Sequence, residues 1–281
     1  MSRTIQLILF SALIGALGCP TSFAQTSAGN KADAGFAVVP GGKIYYESCG
    51  SSANNIVLIH DGVVDSAIWD GVWNLFCAKY RVVRYDRRGY GKSPITTEPY
   101  FEADDLASIL RALNISHTTI VASSHGGEIA MNFALRYPDT VSELVLVGPG
   151  ASGFPYSAHF LGRDWQNTRS ANVDEMIAAF ARDPYFILPG HEGARKQLAV
   201  LLARAPQDLT HDDLALPEKP VLSRIGQLQM PVLLLVGSGD IPDVQAIAGA
   251  LVVGIVLVKK DALQVQMAER VRELVQLASF P

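Results

Sequence analysis

The sequence is poor in the features that mark several large classes of protein. Its 281 residues include three cysteines, too few for a disulfide scaffold or a cysteine-rich zinc module. Its 23 Lys and Arg do not outnumber its 27 Asp and Glu, whereas a surface that binds nucleic acid needs a basic excess. No apolar run after the first twenty residues is long enough to cross a bilayer. We therefore expect neither a nucleic-acid partner nor an integral membrane domain.

The composition that remains is globular. Apolar residues make up 49% of the chain and charged residues 18%, with 24 glycines and 15 prolines. These values are not those of disordered, collagen-like or coiled-coil chains. The length suffices for one large domain or two small ones.

The first residues have the layout of an export signal. Arg3 precedes an apolar run over 5–17, and small residues lead up to Ala24, as they do before a signal-peptidase cleavage site. Thirteen apolar residues would not cross about 30 Å of hydrocarbon. We predict a signal peptide over residues 1–24 and a secreted or periplasmic protein. A lipoprotein signal ending at Cys19 is the weaker alternative, because Leu17 lies one position too close to the cysteine.

Cys49 and Cys77 would remain after cleavage. An oxidising compartment would allow them to pair, but two separate buried thiols fit the sequence equally well, since spacing does not give their distance. A Ser-, Ala- and Gly-rich linker is predicted over residues 25–35.

Short apolar runs alternate with helix-length amphipathic stretches along the rest of the chain. This pattern is typical of an α/β fold whose mostly parallel sheet is covered on both faces. The predicted strands are 36–39 and 43–47, joined as a hairpin, then 56–59, 81–85, 119–122, 144–147, 232–236 and 255–258, with helices that include 102–113, 129–137, 244–251 and 262–278.

The alternation stops between about residues 150 and 222. This stretch is rich in Pro, Asp, His and Arg, and carries helical patterns over 173–181 and 194–204. We interpret it as a helical insertion, or lid, between two parts of a core formed by 36–149 and 223–281.

The segment around Ser124 carries the clearest chemical signal. It runs from a predicted strand directly into a predicted helix, with Ala122 two residues before the serine and Gly126 two residues after it. A nucleophile elbow needs small residues at these positions because neighbouring backbones almost touch there. A serine so placed sits at a helix N-terminus, where N–H groups favour a developing negative charge.

Other blocks surround this segment in a recognisable order. They are Ile-Val-Leu-Ile-His-Asp-Gly over 56–62, Asp-Arg-Arg-Gly-Tyr-Gly-Lys-Ser over 86–93, and Arg-Tyr-Pro-Asp over 136–139. Together with the elbow they resemble the α/β-hydrolase superfamily, from about Phe36 to Phe280. A shared fold does not by itself fix the reaction.

The resemblance implies roles for individual residues. Ser124 corresponds to the nucleophile, and the backbone amides of Gly62 and His125 to the oxyanion hole. His60 is interpreted as a buried residue that braces the Gly62 loop. Asp61 departs from the family's usual glycine and brings a carboxylate near an anion site, unless its side chain points away.

The acid of the triad is expected after the strand that follows the insertion. Asp240, three residues beyond Gly237, fits this position. Asp243 is the close competitor, and we expect it instead to cap the following helix.

The triad histidine has no counterpart. The family order is Ser, then Asp or Glu, then His, but no histidine follows Asp240, and Asp261 stands about where the histidine is expected. An aspartate is a poor substitute, because a group of reference pKa about 3.9 has little tendency to accept a serine proton. The six histidines are His60, His117, His125, His159, His191 and His211.

Three explanations stay open. The base comes from elsewhere, with His125 or a histidine of the insertion as candidates; or the chain retains the fold and binds an apolar ligand without catalysis; or residues were lost between 241 and 261. The leading hypothesis is an exported hydrolase of small esters or lactones. It needs no cofactor or metal, because the sequence has no metal-ligand cluster and no glycine-rich phosphate loop.

Overall fold

The computed structural model describes residues 7–10, 33–163, 172–187, 189–211 and 213–258. Their core is an eight-stranded sheet in the order β1-β8-β7-β6-β4-β5-β3-β2. The pairs β1-β8, β8-β7, β7-β6, β6-β4 and β4-β5 are parallel. Strand β3 is antiparallel to both β2 and β5. The strands are β1 (Leu7–Phe10), β2 (Asp33–Val39), β3 (Gly42–Cys49), β4 (Asn55–Ile59), β5 (Arg81–Tyr85), β6 (Thr118–Ser123), β7 (Val141–Val147) and β8 (Val232–Gly237).

Helices cover both faces of this sheet. Alternate residues of a strand point to opposite faces: Val57 and Ile59 pack with residues of α2, α3 and α8, whereas Ile56 and Leu58 pack with Phe76 of α1. The helices are α1 (Asp70–Cys77), α2 (Glu102–Ala112), α3 (His125–Arg136), α4 (Ala158–Leu161), α5 (Val173–Arg182), α6 (Glu192–Arg204), α7 (Gln207–Thr210) and α8 (Pro242–Val258). The predicted doubly covered α/β architecture is therefore confirmed.

Two predicted boundaries are wrong. Residues 33–35, assigned to the linker, belong to β2, where they pair with residues 46–48 of β3. The apolar run 255–258, predicted as a strand, is the C-terminal end of α8. Gly254, directly before this run, does not end the helix, because a single glycine is tolerated inside a helix. A short apolar run also has no periodicity that distinguishes a strand from a buried helix. The predicted helix over 262–278 lies outside the described residues.

Within the predicted signal peptide, Leu7–Phe10 forms strand β1. It pairs in parallel with residues 234–237 of β8 and occupies the edge of the sheet next to that strand. Cleavage after Ala24 would remove this strand, so the sheet of the cleaved protein would end at β8.

The insertion, residues 150–222, contributes α4 to α7 between β7 and β8. The two predicted insertion helices are confirmed as α5 and α6. Phe180 of α5 and Leu202 of α6 pack around Val64, in the loop that follows β4. Arg204 at the end of α6 binds both carboxylate oxygens of Asp65 in that loop at 2.6 Å. The insertion is thus attached to the loop beside the predicted oxyanion residue.

Cys49 at the end of β3 and Cys77 at the end of α1 are joined by a disulfide, with their Cα atoms 5.4 Å apart. Both residues are buried against the face of the sheet that α1 covers. Of the alternatives that the sequence left open, the structure has the bonded pair. Among the described residues no helix combines the length and apolarity needed to cross a membrane.

Candidate active site

Ser124 occupies a sharp turn between β6 and α3. Its backbone has φ 48° and ψ −119°, a left-handed conformation that non-glycine residues rarely adopt. Its side chain is exposed at the carboxyl edge of the sheet, and no described residue forms a hydrogen bond with its hydroxyl. Such strain persists only where surrounding structure enforces it, and it concentrates at functional sites.

The surrounding backbone enforces the turn closely. The Ser124 carbonyl accepts hydrogen bonds from the amides of Gly127 and Gly150, each at 2.9 Å, and its own amide donates to Val147 O at 3.0 Å. A Cβ on Gly126 would lie 2.5 Å from the carbonyl oxygen of His60. Only glycine fits at that position, as the predicted elbow requires.

Gly62 lies beside the first residue of α3. A Cβ on Gly62 would be 3.5 Å from Cβ of His125, so the two residues predicted to form the oxyanion hole are neighbours. The Gly62 carbonyl accepts a hydrogen bond from the Tyr90 hydroxyl at 3.0 Å, which orients the loop. The carboxylate of Asp61 accepts from the amides of Val63 and Val64 at 2.6 and 3.0 Å. It is therefore bound to the loop that follows Gly62.

His60 is wholly buried and both of its ring nitrogens are bonded. Nδ1 lies 2.8 Å from the Asp61 carbonyl, to which it donates, and Nε2 accepts from the amide of Arg87 at 2.9 Å. Burial, with the nearby Arg87 charge, holds the pKa of His60 well below its usual range. The ring is thus a neutral brace between two loops, as the sequence indicated.

Asp240 follows β8 and is half-buried. Its Oδ1 accepts the amide of Ile241 at 2.8 Å, and its Oδ2 lies 3.2 Å from the position of a Cβ on Gly148, at the end of β7. Burial raises the pKa of this carboxyl group. Because β8 lies two strands from β6, about 10 Å at ordinary strand spacing, Asp240 and Ser124 stand on either side of a gap.

Asp243 does not have the expected capping role. Its carboxylate accepts hydrogen bonds from the amide and the hydroxyl of Ser157, at 2.6 and 2.7 Å. Ser157 is the N-cap of α4, so this buried aspartate fastens α8 to the start of the insertion. A contact across 86 residues leaves no local pattern in the sequence.

The remaining histidines stand at separate places. His117 precedes β6, at the amino edge of the sheet, and its Nδ1 bonds the Asp139 carbonyl. His159 bonds Arg163, and His191 begins α6. His211 donates to the Gln207 carbonyl and packs edge-on against Tyr90 at 4.8 Å.

A chain of ionic contacts that the sequence analysis missed lies directly beside Ser124. His125 Nε2 bonds Glu102 Oε2 at 2.9 Å, and the other oxygen of Glu102 accepts from Nε and Nη2 of Arg87, at 2.8 and 2.7 Å. Burial opposes ionisation of Glu102, but the Arg87 charge and the His125 contact outweigh it and lower its pKa to about 2. Arg87 also donates to the Asp61 carbonyl at 2.9 Å.

An aromatic cluster from the insertion borders the elbow. A Cβ on Gly150 would lie 3.5 Å from the Tyr156 hydroxyl and 3.6 Å from the Ser124 carbonyl. Tyr156 stacks on Phe160 and meets Phe154 edge-on. In the part of the chain that the structure describes, no group of three or more His, Cys, Asp or Glu is arranged to hold a metal ion.

The chain belongs to the α/β-hydrolase fold family. The family's sequence model matches residues 54–206, more than half of the chain, and that segment contains the elbow and both predicted oxyanion residues. The membership agrees with the resemblance and with the sheet order.

Named relatives are hydrolases. The chain is 33% identical over 119 residues to 2-hydroxy-6-oxononadienedioate/2-hydroxy-6-oxononatrienedioate hydrolase 1 of Dechloromonas aromatica; the match covers 40% of this chain and about two fifths, 41%, of that protein. It is 26% identical over 214 residues to RutD of Pantoea ananatis, whose name assigns it provisionally to carbamate hydrolysis, across 70% of this chain and 76% of that one.

Solved structures share the fold. The esterase RhEst1 from Rhodococcus sp. ECU1013 superposes with a TM-score of 0.68 at 22% identity, covering 88% of this chain and 98% of that one. The enol-lactonase from Burkholderia xenovorans LB400 superposes with a TM-score of 0.67 at 16% identity, covering 88% and 100%.

Proposed function

We propose that the protein is an exported serine hydrolase that cleaves a small carboxylic ester or lactone. The observation that carries the proposal is the left-handed backbone of Ser124, which holds an exposed hydroxyl at the carboxyl edge of the sheet. An ordinary N-cap serine would instead bond the first turn of its helix, and Ser124 makes no side-chain cap hydrogen bond. Relatives and structural neighbours named as hydrolases, esterases and a lactonase support the reaction class.

In the proposed reaction the Ser124 oxygen attacks the carbonyl carbon of the ester. The amides of Gly62 and His125 donate hydrogen bonds to the negative oxygen that develops, which is where such donors lower the barrier most. The leaving alcohol takes up a proton, and water then releases the acid from the acyl-enzyme. Asp240 is the proposed acid of the site, in keeping with its place after β8.

The aromatic cluster of the insertion suggests the substrate's character. Tyr156 lies beside the elbow, and Phe154 and Phe160 pack on its ring. Apolar walls with few polar groups are usual in small-molecule sites. We propose that the insertion is a lid over Ser124 and that the acyl group is small and apolar.

A second candidate function is a catalytically silent module that binds an apolar ligand. One observation favours it: the chain has no histidine after Asp240. In well-studied triads, loss of a triad member costs on the order of 10⁴ to 10⁶ in turnover.

A serine-directed fluorophosphonate separates the two candidates. A hydrolase is expected to gain the mass of one phosphonyl group and to turn over p-nitrophenyl acetate, and Ser124→Ala should lose both. Ser123→Ala is the matched control, because it removes a hydroxyl one residue earlier, at the end of β6. An unlabelled, inactive and folded wild-type protein would support the silent module.

Export is proposed from the leader over residues 1–24, and the Cys49–Cys77 disulfide supports it, because such bonds persist in oxidising compartments. Mass spectrometry of protein recovered from the periplasm or medium should give a chain beginning at Gln25. A lipid-sized mass on a chain beginning at Cys19 would support the lipoprotein alternative.

A further inference from the structure

The ring of His125, the residue after Ser124, is paired with the Glu102 carboxylate. We propose that His125 is the general base for Ser124 and that Glu102 positions it, so that the proton path starts in the first turn of α3. This inference rests on the proposed serine hydrolase function, and it assigns the group that the missing histidine would have supplied.

Glu102 fixes which nitrogen of His125 carries the proton. An ionised carboxylate can only accept a hydrogen bond, so the 2.9 Å contact places the hydrogen on Nε2 and leaves the lone pair on Nδ1. In a serine-hydrolase triad the acid selects the histidine tautomer in the same way, with the two ring nitrogens exchanged. Arg87 holds the opposite carboxylate oxygen and is itself 3% exposed, so Glu102 cannot turn away.

The side chain that carries the free nitrogen is partly exposed and belongs to the residue that follows Ser124. Within the described residues, His125 Nδ1 has no hydrogen-bond partner, and the atom is not buried. The side chain is 38% exposed. Ser124 precedes His125, with its Cα about 3.8 Å away, and its hydroxyl is exposed too. A base works within hydrogen-bond distance or through one water, and free enzymes often hold the contact loosely.

Other histidines are less suited. Both nitrogens of His60 are bonded inside the core, and His117 lies at the opposite edge of the sheet, six residues of strand away from Ser124. His211 has a buried, unpaired Nε2, but this atom would lie 2.6 Å from a Cβ on Gly89, so it faces the loop after β5.

The charges around His125 come from three elements. Glu102 of α2 carries a negative charge, Arg87 of the loop after β5 a positive one, and the loop after β4 adds Asp61 and the neutral ring of His60. A protonated His125 is therefore stabilised by Glu102, which directly contacts it, while Arg87 is neutralised by the same carboxylate. The His125–Glu102 pair can hold the proton that Ser124 gives up.

The step balances without any further reactant. As Ser124 Oγ bonds to the carbonyl carbon, its proton moves to His125 Nδ1 and the carbonyl electron pair moves to oxygen. When the tetrahedral intermediate collapses, that proton passes to the leaving alkoxide and yields the alcohol. Water repeats the sequence on the acyl-enzyme and releases the carboxylic acid.

The test compares kcat/KM for p-nitrophenyl acetate in variants checked for folding by circular dichroism. His125→Gln should lose about 10²- to 10⁴-fold, the usual contribution of a general base. His117→Gln, exposed at the opposite edge of the sheet, should match wild type. His125→Ala should recover at least tenfold when imidazole is added, a rescue that a structural role would not produce.

Glu102→Gln tests the positioning role. Its loss should exceed that of Glu218→Gln, a matched control whose ion pair with Arg136 is remote from Ser124. The loss should fall on kcat and leave KM nearly unchanged, because Glu102 acts on proton transfer through His125 and does not bind the ester. Should Glu102→Gln fail to fold because Arg87 keeps only its longer ion pair with Asp213, at 3.5 Å, the imidazole rescue decides, since His125→Ala leaves the Arg87–Glu102 pair intact.

The outcomes separate this inference from the function on which it rests. Two results would refute His125 as the base and keep the hydrolase. One is Ser124-dependent turnover that survives in His125→Gln. The other is a loss of turnover in Asp240→Asn or His191→Gln with none in His125→Gln. Turnover that does not depend on Ser124, or no turnover at all, would overturn both.

Discussion

The Cys49–Cys77 bond should supply a large share of the stability of the folded protein. It closes a loop of 28 residues in sequence. In the chain-entropy treatment, a loop of that length restricts the unfolded chain enough to stabilise the fold by about 3.6 kcal/mol at 25 °C. Domains are typically stable by only about 5–15 kcal/mol, so loss of the bond would remove a quarter to most of the total.

Urea unfolding of a chain that begins at Gln25 measures this contribution. With a slope of about 2–3 kcal/mol per molar urea, a loss of 3.6 kcal/mol lowers the midpoint by about 1–2 M. Wild type should show this shift when dithiothreitol is added. Cys49→Ala/Cys77→Ala should start near the reduced midpoint and be unaffected by dithiothreitol, which separates the cross-link from the volume lost at two buried positions.

Two results would refute the reasoning. The chain that begins at Gln25 lacks Cys19, so unreduced protein unfolded in urea should contain no reactive thiol. Two thiols would mean that the bond does not form. A bonded protein whose midpoint is unchanged by reduction would mean that the reduced, unfolded chain is held compact by other contacts, so that the loop length no longer sets the free energy.

Three further predictions concern the elbow and the insertion. Gly126→Ala should abolish turnover and lower the melting temperature, because its Cβ would lie 2.5 Å from the His60 carbonyl oxygen; a normally active variant would contradict the elbow. Ser124→Gly should abolish turnover yet raise stability by about 1 kcal/mol, since glycine adopts φ 48° without strain; calorimetry measures it. Burial raises the pKa of Asp208, which accepts the Gly91 amide, to about 7. The folded state therefore binds more protons than the unfolded one between about pH 4 and 7, and stability should fall as pH rises through that window; Asp208→Asn should flatten that part of the curve.

The sequence predicted the parts of the fold that local patterns encode. The strand over 81–85 was predictable because its apolar residues Val82, Val83 and Tyr85 form a short run that ends at Asp-Arg-Arg-Gly, so its limits matched closely. The elbow was predictable because so sharp a strand-to-helix turn needs small residues two before and two after the serine, and Ala122 and Gly126 stand there. The run 255–258 was misassigned because a short apolar segment after a single glycine continues a helix as readily as it forms a strand.

Contacts between distant charged residues were not predictable. Glu102 looks like an ordinary acidic residue in the first turn of a helix, where it complements the helix dipole. Its partners, Arg87 and His125, lie 15 and 23 residues away in sequence. The one available signal was the first arginine in Asp-Arg-Arg-Gly, Arg87, since a charge that a tight loop carries into the core needs a partner. Asp243 posed the same problem, because its carboxylate binds Ser157 across the insertion.

Strand spacing explains the position proposed for the base. In a chain of this family with no histidine after β8, the base has to lie on the α2 side of Ser124. Asp240 and Ser124 are two strands apart, about 10 Å, and the acid cannot touch the hydroxyl across that distance. Residues following α8 would have to bridge the gap, yet Lys259, Lys260 and Asp261 offer no imidazole. On the α2 side, by contrast, Arg87 donates both to the Glu102 carboxylate and to the Asp61 carbonyl. One guanidinium therefore fixes the base and the peptide that leads into the oxyanion hole, and a change at Arg87 should impair transition-state binding and proton transfer together.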